Sequence, residues 1–344
     1  MSAVSWAWNF SLFSPDSWLA PLRGGSSSRH RAGSNWARPF LIRRWLRTLP
    51  NYYLFLAINA LLVVYAVAPG RLTDLLPFTV FVQNLAWHHP PFFGEAWSLA
   101  VEEVFYLLLP LVLTLLGRLI PSKGATLLTA TFLLVLAPIS LRFLVVTSAD
   151  PAWDEGVRKI VAFRLDALML GVLTGWLCHE HRLRERFAGA PLLVAAAALL
   201  LPAVCFFLFA GNEIDRSNFA RVWLFPVVSV GFALFIVSGL KWNNAPQWFK
   251  APAGNIARWS YAIYLAHMPV FHSINWCFGR ASEGDVVGAV ARWLGFLVLS
   301  FAVAALIERF FERPILAWRD HICPADSVRP MSLRKFAAPP ATSI

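Results

Sequence analysis

The sequence predicts an all-α fold, a polytopic transmembrane helix bundle of about eight spans with both termini cytoplasmic. Three observations predict it. The 344 residues are 58% hydrophobic and only 14% charged, where a soluble domain carries about a quarter charged residues. The apolar residues fall in eight uninterrupted runs, each near the roughly 17 to 25 residues that cross a hydrocarbon layer. Lys and Arg are distributed unevenly between the segments that join those runs. Backbone polar groups find no water inside a bilayer, so each run must bond internally as a helix; runs this long and continuous do not suit barrel strands.

The elements follow in order. Residues 1–38 carry Trp6, Trp8 and Trp18, no basic region ahead of an apolar core, and the low-complexity run GGSSSRHRAGSN. They predict neither a signal peptide nor a span. The first run, 49–68, follows FLIRRWLRTLP, and the second, 98–117, opens within AWSLAVEEVFYLLLP. The third and fourth, 124–146 and 160–178, contain Arg142, Arg164 and Asp166; the fifth and sixth, 188–210 and 221–240, are almost wholly apolar. The seventh, 259–277, contains SYAIYLAHMPVF, and the eighth, 293–311, leads into ERFFERPI. Residues 323–344, with Pro324, Pro330, Pro339 and Pro340, read as a disordered cytoplasmic tail, leaving 39–322 as the membrane domain.

Orientation comes from the basic residues. With the N-terminus inside, the inner segments hold 21 Lys and Arg and the outer loops 7, the asymmetry of the positive-inside rule. The formal charge of +11 is then a topology signal, and no nucleic-acid partner is expected. Cys178, Cys205, Cys277 and Cys323 are widely spaced, which argues against a disulfide framework and a zinc site. His88 and His89 with Glu95 lack a third nitrogen or sulfur ligand, so no metal is expected.

Ionisable residues inside spans are costly and mark function or a buried partner. In the second run Ser98, Glu102 and Tyr106 repeat at i, i+4, i+8 and share one helix face, with Glu103 about 100° round. A carboxylate near a helix N-terminus has an ordinary electrostatic reading, but two adjacent ones exceed it. In the seventh run Ser260, Tyr264, His267 and Phe271 form a polar stripe, and His267 is suited to proton transfer near neutral pH. A helix-packing histidine is the plainer alternative. Arg164 and Asp166 stand two residues apart on one helix and cannot face each other. Arg142 and Asp166 lie about four and six residues from the outer ends of their spans, depths within roughly 3 Å at 1.5 Å per residue. They are expected to pair. Arg43, Arg44 and Arg47 form a basic cluster just inside the membrane, which is either an inner-surface anchor or a binding site for phosphates of an anionic ligand.

These stretches, in order, resemble one family, the membrane-bound acyltransferase family 3. FLIRRWLRTLPNYY is similar to its R-R-x-x-R-x-x-P-x-Y element, and AWSLAVEEVFYLLLP to its W-S-L-x-x-E-E-x-F-Y-x-x-x-P signature. FRLDALMLG, RWSYAIYLAHMPV and ERFFERPI resemble its R-x-D-x-x-x-x-G, S-Y-x-x-Y-L-x-H-x-P and E-x-P elements. The resemblance covers residues 39–318.

It implies a bundle of ten helices in a bacterial inner membrane, acyl-CoA (acetyl-CoA) as cytoplasmic donor, and transfer of the acyl group to a hydroxyl of an envelope carbohydrate or glycolipid. On that reading Arg43, Arg44 and Arg47 hold CoA on the donor side, while Glu102 and Asp166 lie toward the acceptor side. Glu102 positions or polarises the hydroxyl, and His267 is the other catalytic candidate. Trp97, Ser98, Glu103, Tyr106, Arg164, Asp166, Tyr261 and Tyr264 would line the substrate path. The family's base is a histidine in a first span that has no counterpart among these eight runs. The chain is therefore expected to lack an N-terminal helix pair. A truncated, non-catalytic remnant or binding subunit is the alternative, and a transporter a more distant one.

Overall fold

Among the described residues each apolar run carries one long helix, but two begin twelve residues ahead of their runs, at Ala37 against 49 and at Gln247 against 259. The computed structural model describes residues 37–180, 189–239, 246–279 and 285–323. Within them lie α1 (Ala37–Val64), α2 (Trp97–Leu119), α3 (Lys123–Ala149), α4 (Leu165–Glu180), α5 (Ala190–Phe209), α6 (Leu224–Gly239), α7 (Gln247–Phe278) and α8 (Val286–Ile307). A π-helical turn at Glu308–Glu312 joins α8 to α9 (Arg313–Ile322). No strand occurs among the described residues.

Among the described residues five helical segments are long and apolar enough to cross a membrane: Leu41–Val64, Gly94–Leu119, Lys123–Ala149, Ala190–Phe209 and Val286–Ile322. Leu165–Cys178 and Leu224–Gly239 are apolar but shorter. Proline interrupts the interiors of α1, α2, α3, α5 and α7, at Pro50, Pro110, Pro138, Pro202, Pro252 and Pro269. Each removes a ladder donor, a loss that neighbouring helices and hydroxyl side chains can make good in a membrane bundle. The expected terminal segments, 1–38 and 323–344, fall outside the described residues except at their inner edges. There two corrections arise. Ala37 and Arg38 already belong to α1. Cys323 is buried, its carbonyl accepting from the Arg43 guanidinium, so it belongs to the bundle and not the tail.

Two lobes build the molecule. In one, α5 pairs with α6, α6 with α4, α4 with α3, and α3 with α2, around a core that includes Phe105, Leu127, Ala130 and Met169. In the other, α1 packs on α7 and α9, and α7 on α8. Its core unites Tyr52, Phe55 and Leu56 with Leu265 and Ala266, and also with Phe78, Phe92 and Phe93 from the connection between α1 and α2.

That connection is not a simple outer loop. It turns back along α1, where the Tyr52 and Tyr53 hydroxyls donate to the carbonyls of Phe78 and Thr79 at 2.7 and 2.8 Å. Tyr52 is twelve residues from the end of α1, about 18 Å of helix. Phe81 and Phe93 take left-handed backbone angles, φ 60° and 50°, a strain of about 1–3 kcal/mol each. Both rings pack on Tyr52, with centroids at 4.3 and 5.5 Å. Gly70, at φ +127°, has no room for a Cβ, which would stand 2.9 Å from the Phe92 Cα. Buried Asn84 ties the connection to the second lobe by donating to the carbonyls of Trp97, at 3.2 Å, and Lys159. Nearby, the Val161 and Ala162 amides donate to the carbonyls of Asn84 and Leu85. The start of α2 is thereby drawn inward along α1.

Candidate functional site

The inward start of α2 sets its first two turns against the first three turns of α1, at the seam between the lobes. Arg44 donates from Nη2 to Glu102 Oε2 at 2.5 Å, and its guanidinium lies 4.0 Å from the centroid of the Tyr106 ring. The i, i+4 spacing of Glu102 and Tyr106 lets one guanidinium meet both. Glu103 is held by the same helix: Thr48 donates to its Oε1 at 3.1 Å and Trp45 Nε1 to its Oε2 at 3.2 Å. Both carboxylates thus face α1.

This corrects the expected division of the site. Arg44 and Glu102 do not stand on opposite sides; they form one buried ion pair. Arg44 is therefore occupied and does not present itself to a phosphate. Arg43, one residue earlier, points to the surface and pairs with Asp320 at 2.9 Å. Arg47, a turn beyond Arg43, is also drawn into the bundle's charge network, with Arg44, Glu312 and Arg319 as its charged neighbours.

Two further helices close the seam. Tyr261 of α7 donates to the Thr48 carbonyl at 2.9 Å. From the π turn, Glu312 Oε2 accepts from Asn51 Nδ2 at 2.9 Å, both side chains being buried. Single-turn π segments are frequent at functional positions. Here the wider turn carries buried Glu308 and Glu312, and Glu308 accepts from Arg313 at 2.7 Å. Thr48, Asn51, Trp45 and Glu312 were not singled out from sequence. Glu312 had a signal, as the acid of the E-x-P element; the others carry none.

Along α2 and α7 the polar groups continue. Tyr264 donates its hydroxyl to the Glu95 carbonyl at 2.7 Å, so Ser98, at 2.5 Å, is the donor to Tyr264. His267 Nδ1 lies 2.6 Å from the Tyr264 carbonyl. A carbonyl only accepts, so Nδ1 carries the proton and a neutral His267 presents Nε2 as a proton acceptor. Ser98 sits one turn before Glu102. His267, Tyr264, Ser98, Glu102 and Arg44 thus follow one another along the seam.

The remaining candidates lie in the second lobe. Arg142 and Asp166 form the expected pair at 2.6 Å, both fully buried, and Arg142 also donates to the Phe163 carbonyl. Arg164 forms no ion pair with Asp166, two residues on, and stacks over Phe225 at 4.1 Å and beside Trp97 at 5.9 Å. No group of three His, Cys, Asp or Glu side chains converges as a metal site among the described residues. The expected lack of the family's first-span histidine and its helix pair concerns residues ahead of Ala37, which lie outside the described residues.

A family model described as an acyltransferase domain matches residues 35–309. The chain belongs to the acyltransferase 3 family. The match takes in α1 through α8 and every candidate residue named above from Arg43 to His267. Peptidoglycan O-acetyltransferase OatA of Listeria monocytogenes is 23% identical over 294 residues, covering 81% of this chain and 46% of that protein. O-acetyltransferase OatA of Staphylococcus aureus is 25% identical over 228 residues, 64% of this chain and 35% of that protein. The chain thus spans less than half the length of these curated relatives. No solved structure matches.

Proposed function

We propose that this acyltransferase 3 family chain is an integral membrane O-acyltransferase that moves an acyl group, acetyl foremost, from acyl-CoA to a hydroxyl of an envelope carbohydrate or glycolipid. Its eight long helices each cross a bacterial inner membrane, with both ends cytoplasmic. The observation that carries the reading is the polar seam through the apolar bundle, from surface-facing Arg43 through Arg44, Glu102 and Ser98 to His267. A donor and an acceptor arriving from opposite faces must meet in such a seam. The Listeria relative's name, a peptidoglycan O-acetyltransferase, supports a carbohydrate acceptor.

In the reaction the acceptor oxygen forms a C–O bond to the thioester carbonyl as the C–S bond breaks, and the hydroxyl proton passes to the departing thiolate. Glu102, fixed by Arg44, polarises that hydroxyl. His267 Nε2 and Tyr264 line the route. CoA is an anion of phosphates, and guanidinium suits such groups. Arg43 and Arg47 fit the role; Arg44, engaged with Glu102, instead sets the carboxylate's position.

Membranes carrying the chain should transfer label from acetyl-CoA to glycan. Glu102→Gln, which keeps the shape and loses the charge, should reduce transfer at least about tenfold, the scale of 1.4 kcal/mol of lost transition-state stabilisation. Undiminished transfer in that variant would remove Glu102 from the mechanism. Absence of turnover with retained CoA binding would instead favour a binding subunit.

A further inference from the structure

Beside the seam, at the N-terminus of α2, the charges of the second lobe do not balance. Arg142 is matched by Asp166, Arg158 by Asp154, and Lys159 by Glu155. Arg164 has no carboxylate partner among the described residues. It is 8% exposed, and its Nε is buried with no hydrogen-bond partner. Its charged neighbours are Asp166, which holds Arg142 through Oδ2 and leaves Oδ1 without a hydrogen-bond partner, and the two like charges of Arg142 and Arg158. Stacking on Phe225 recovers part of the cost of burying the cation. Burying a guanidinium that has no ion-pair partner of its own still carries a desolvation cost.

Two neighbouring features bear on what would neutralise it. Trp97, the first residue of α2, lies beneath both Arg164 and Arg158, with guanidinium carbons 5.9 and 4.9 Å from its ring. The chain enters α2 through the 3-10 turn Gly94–Ala96, which runs straight into the helix and carries buried Glu95. Glu95, although buried nearby in sequence, bonds to neither arginine.

We propose that Arg164, with Arg158 across the Trp97 ring at the start of α2, is a subsite for an oxyanion carried by the acceptor, a carboxylate or phosphate group on the glycan. This rests on the acyl-transfer reading and narrows the acceptor to an acidic one. The oxyanion balances the unpaired charge, and Ser98 and Glu102 follow along the same helix, so an anchored acidic sugar brings its hydroxyls toward them.

Binding of soluble probes to purified full-length chain without any acyl donor tests this, so failure of acyl transfer leaves the result readable. Glucuronate should bind at least about tenfold more tightly than glucuronamide, which differs only in charge. Arg164→Gln should abolish the difference, and Arg164→Lys should keep part of it. The wild-type comparison stands even if Arg164→Gln does not fold. Equal binding of the two sugars, or an unchanged preference in folded Arg164→Gln, overturns the proposal. Inorganic phosphate binding as tightly as glucuronate would make this a free-anion site and overturn the glycan assignment. A response confined to phosphatidylglycerol over phosphatidylcholine in nanodiscs would assign the anion to a lipid headgroup, with the same consequence.

Discussion

Arg142 and Asp166 are each fully buried and joined at 2.6 Å, so neither can lose its partner cheaply. Removing one member of such a pair leaves a naked charge and costs about 3–5 kcal/mol, whereas replacing both with apolar groups of similar size is often neutral. Arg142→Ala should therefore lower the thermal midpoint in detergent sharply, and the double variant Arg142→Met with Asp166→Leu should recover most of the loss. His89 sets a pH limit. It is buried against Phe78, with ring centroids 5.3 Å apart. Burial, and then the positive charge of Lys159, push its pKa from 6.5 down to about 4, against a backbone hydrogen bond at Pro90 and the charge of Asp154. The folded chain keeps this ring neutral where the unfolded chain takes up a proton. Stability is thus complete above pH 6.5 and falls as pH drops toward 4, by roughly 3 kcal/mol at most. Unfolding midpoints measured over that range should fall, and His89→Asn should flatten the slope. The ion pair was legible from the rise per residue alone, since two opposite charges at one depth in apolar helices have little choice. The partners of Glu103 were not, because Trp45 and Thr48 look like ordinary interfacial residues until α1 and α2 are set in register.

At the scale of elements, the eight long helices were legible because apolar length is the whole requirement for burying a backbone in lipid. The register between α1 and α2 was hidden. It depends on where the intervening connection goes, and that is fixed by Tyr52, Tyr53, Asn84 and Gly70 acting at a distance in sequence. An outer loop of ordinary course would have left Glu102 near the surface and Arg44 free. Instead the connection fills one lobe's core with Phe78, Phe92 and Phe93, and Phe81 packs against it. The π turn at Glu308–Glu312 was equally hidden, although the E-x-P element marked its place. Without it Glu312 would not share a seam with Asn51.

In the whole molecule the polar seam lies where two lobes with separate cores meet, α2 through α6 on one side and α1, α7, α8 and α9 on the other. The buried Arg142 also has a consequence for how the chain is made. An unpaired arginine or aspartate costs about 2.5–3.5 kcal/mol at the centre of a helix that a translocon releases into lipid, and less toward its ends, where Arg142 and Asp166 stand. Neither α3 nor α4 pays that penalty if the two leave together with the charges already joined. A reporter fused after α3 alone should show poor insertion, one fused after α4 should show efficient insertion, and Arg142→Leu should make the first fusion insert by itself. The α3–α4 hairpin is, on this account, the unit of biogenesis.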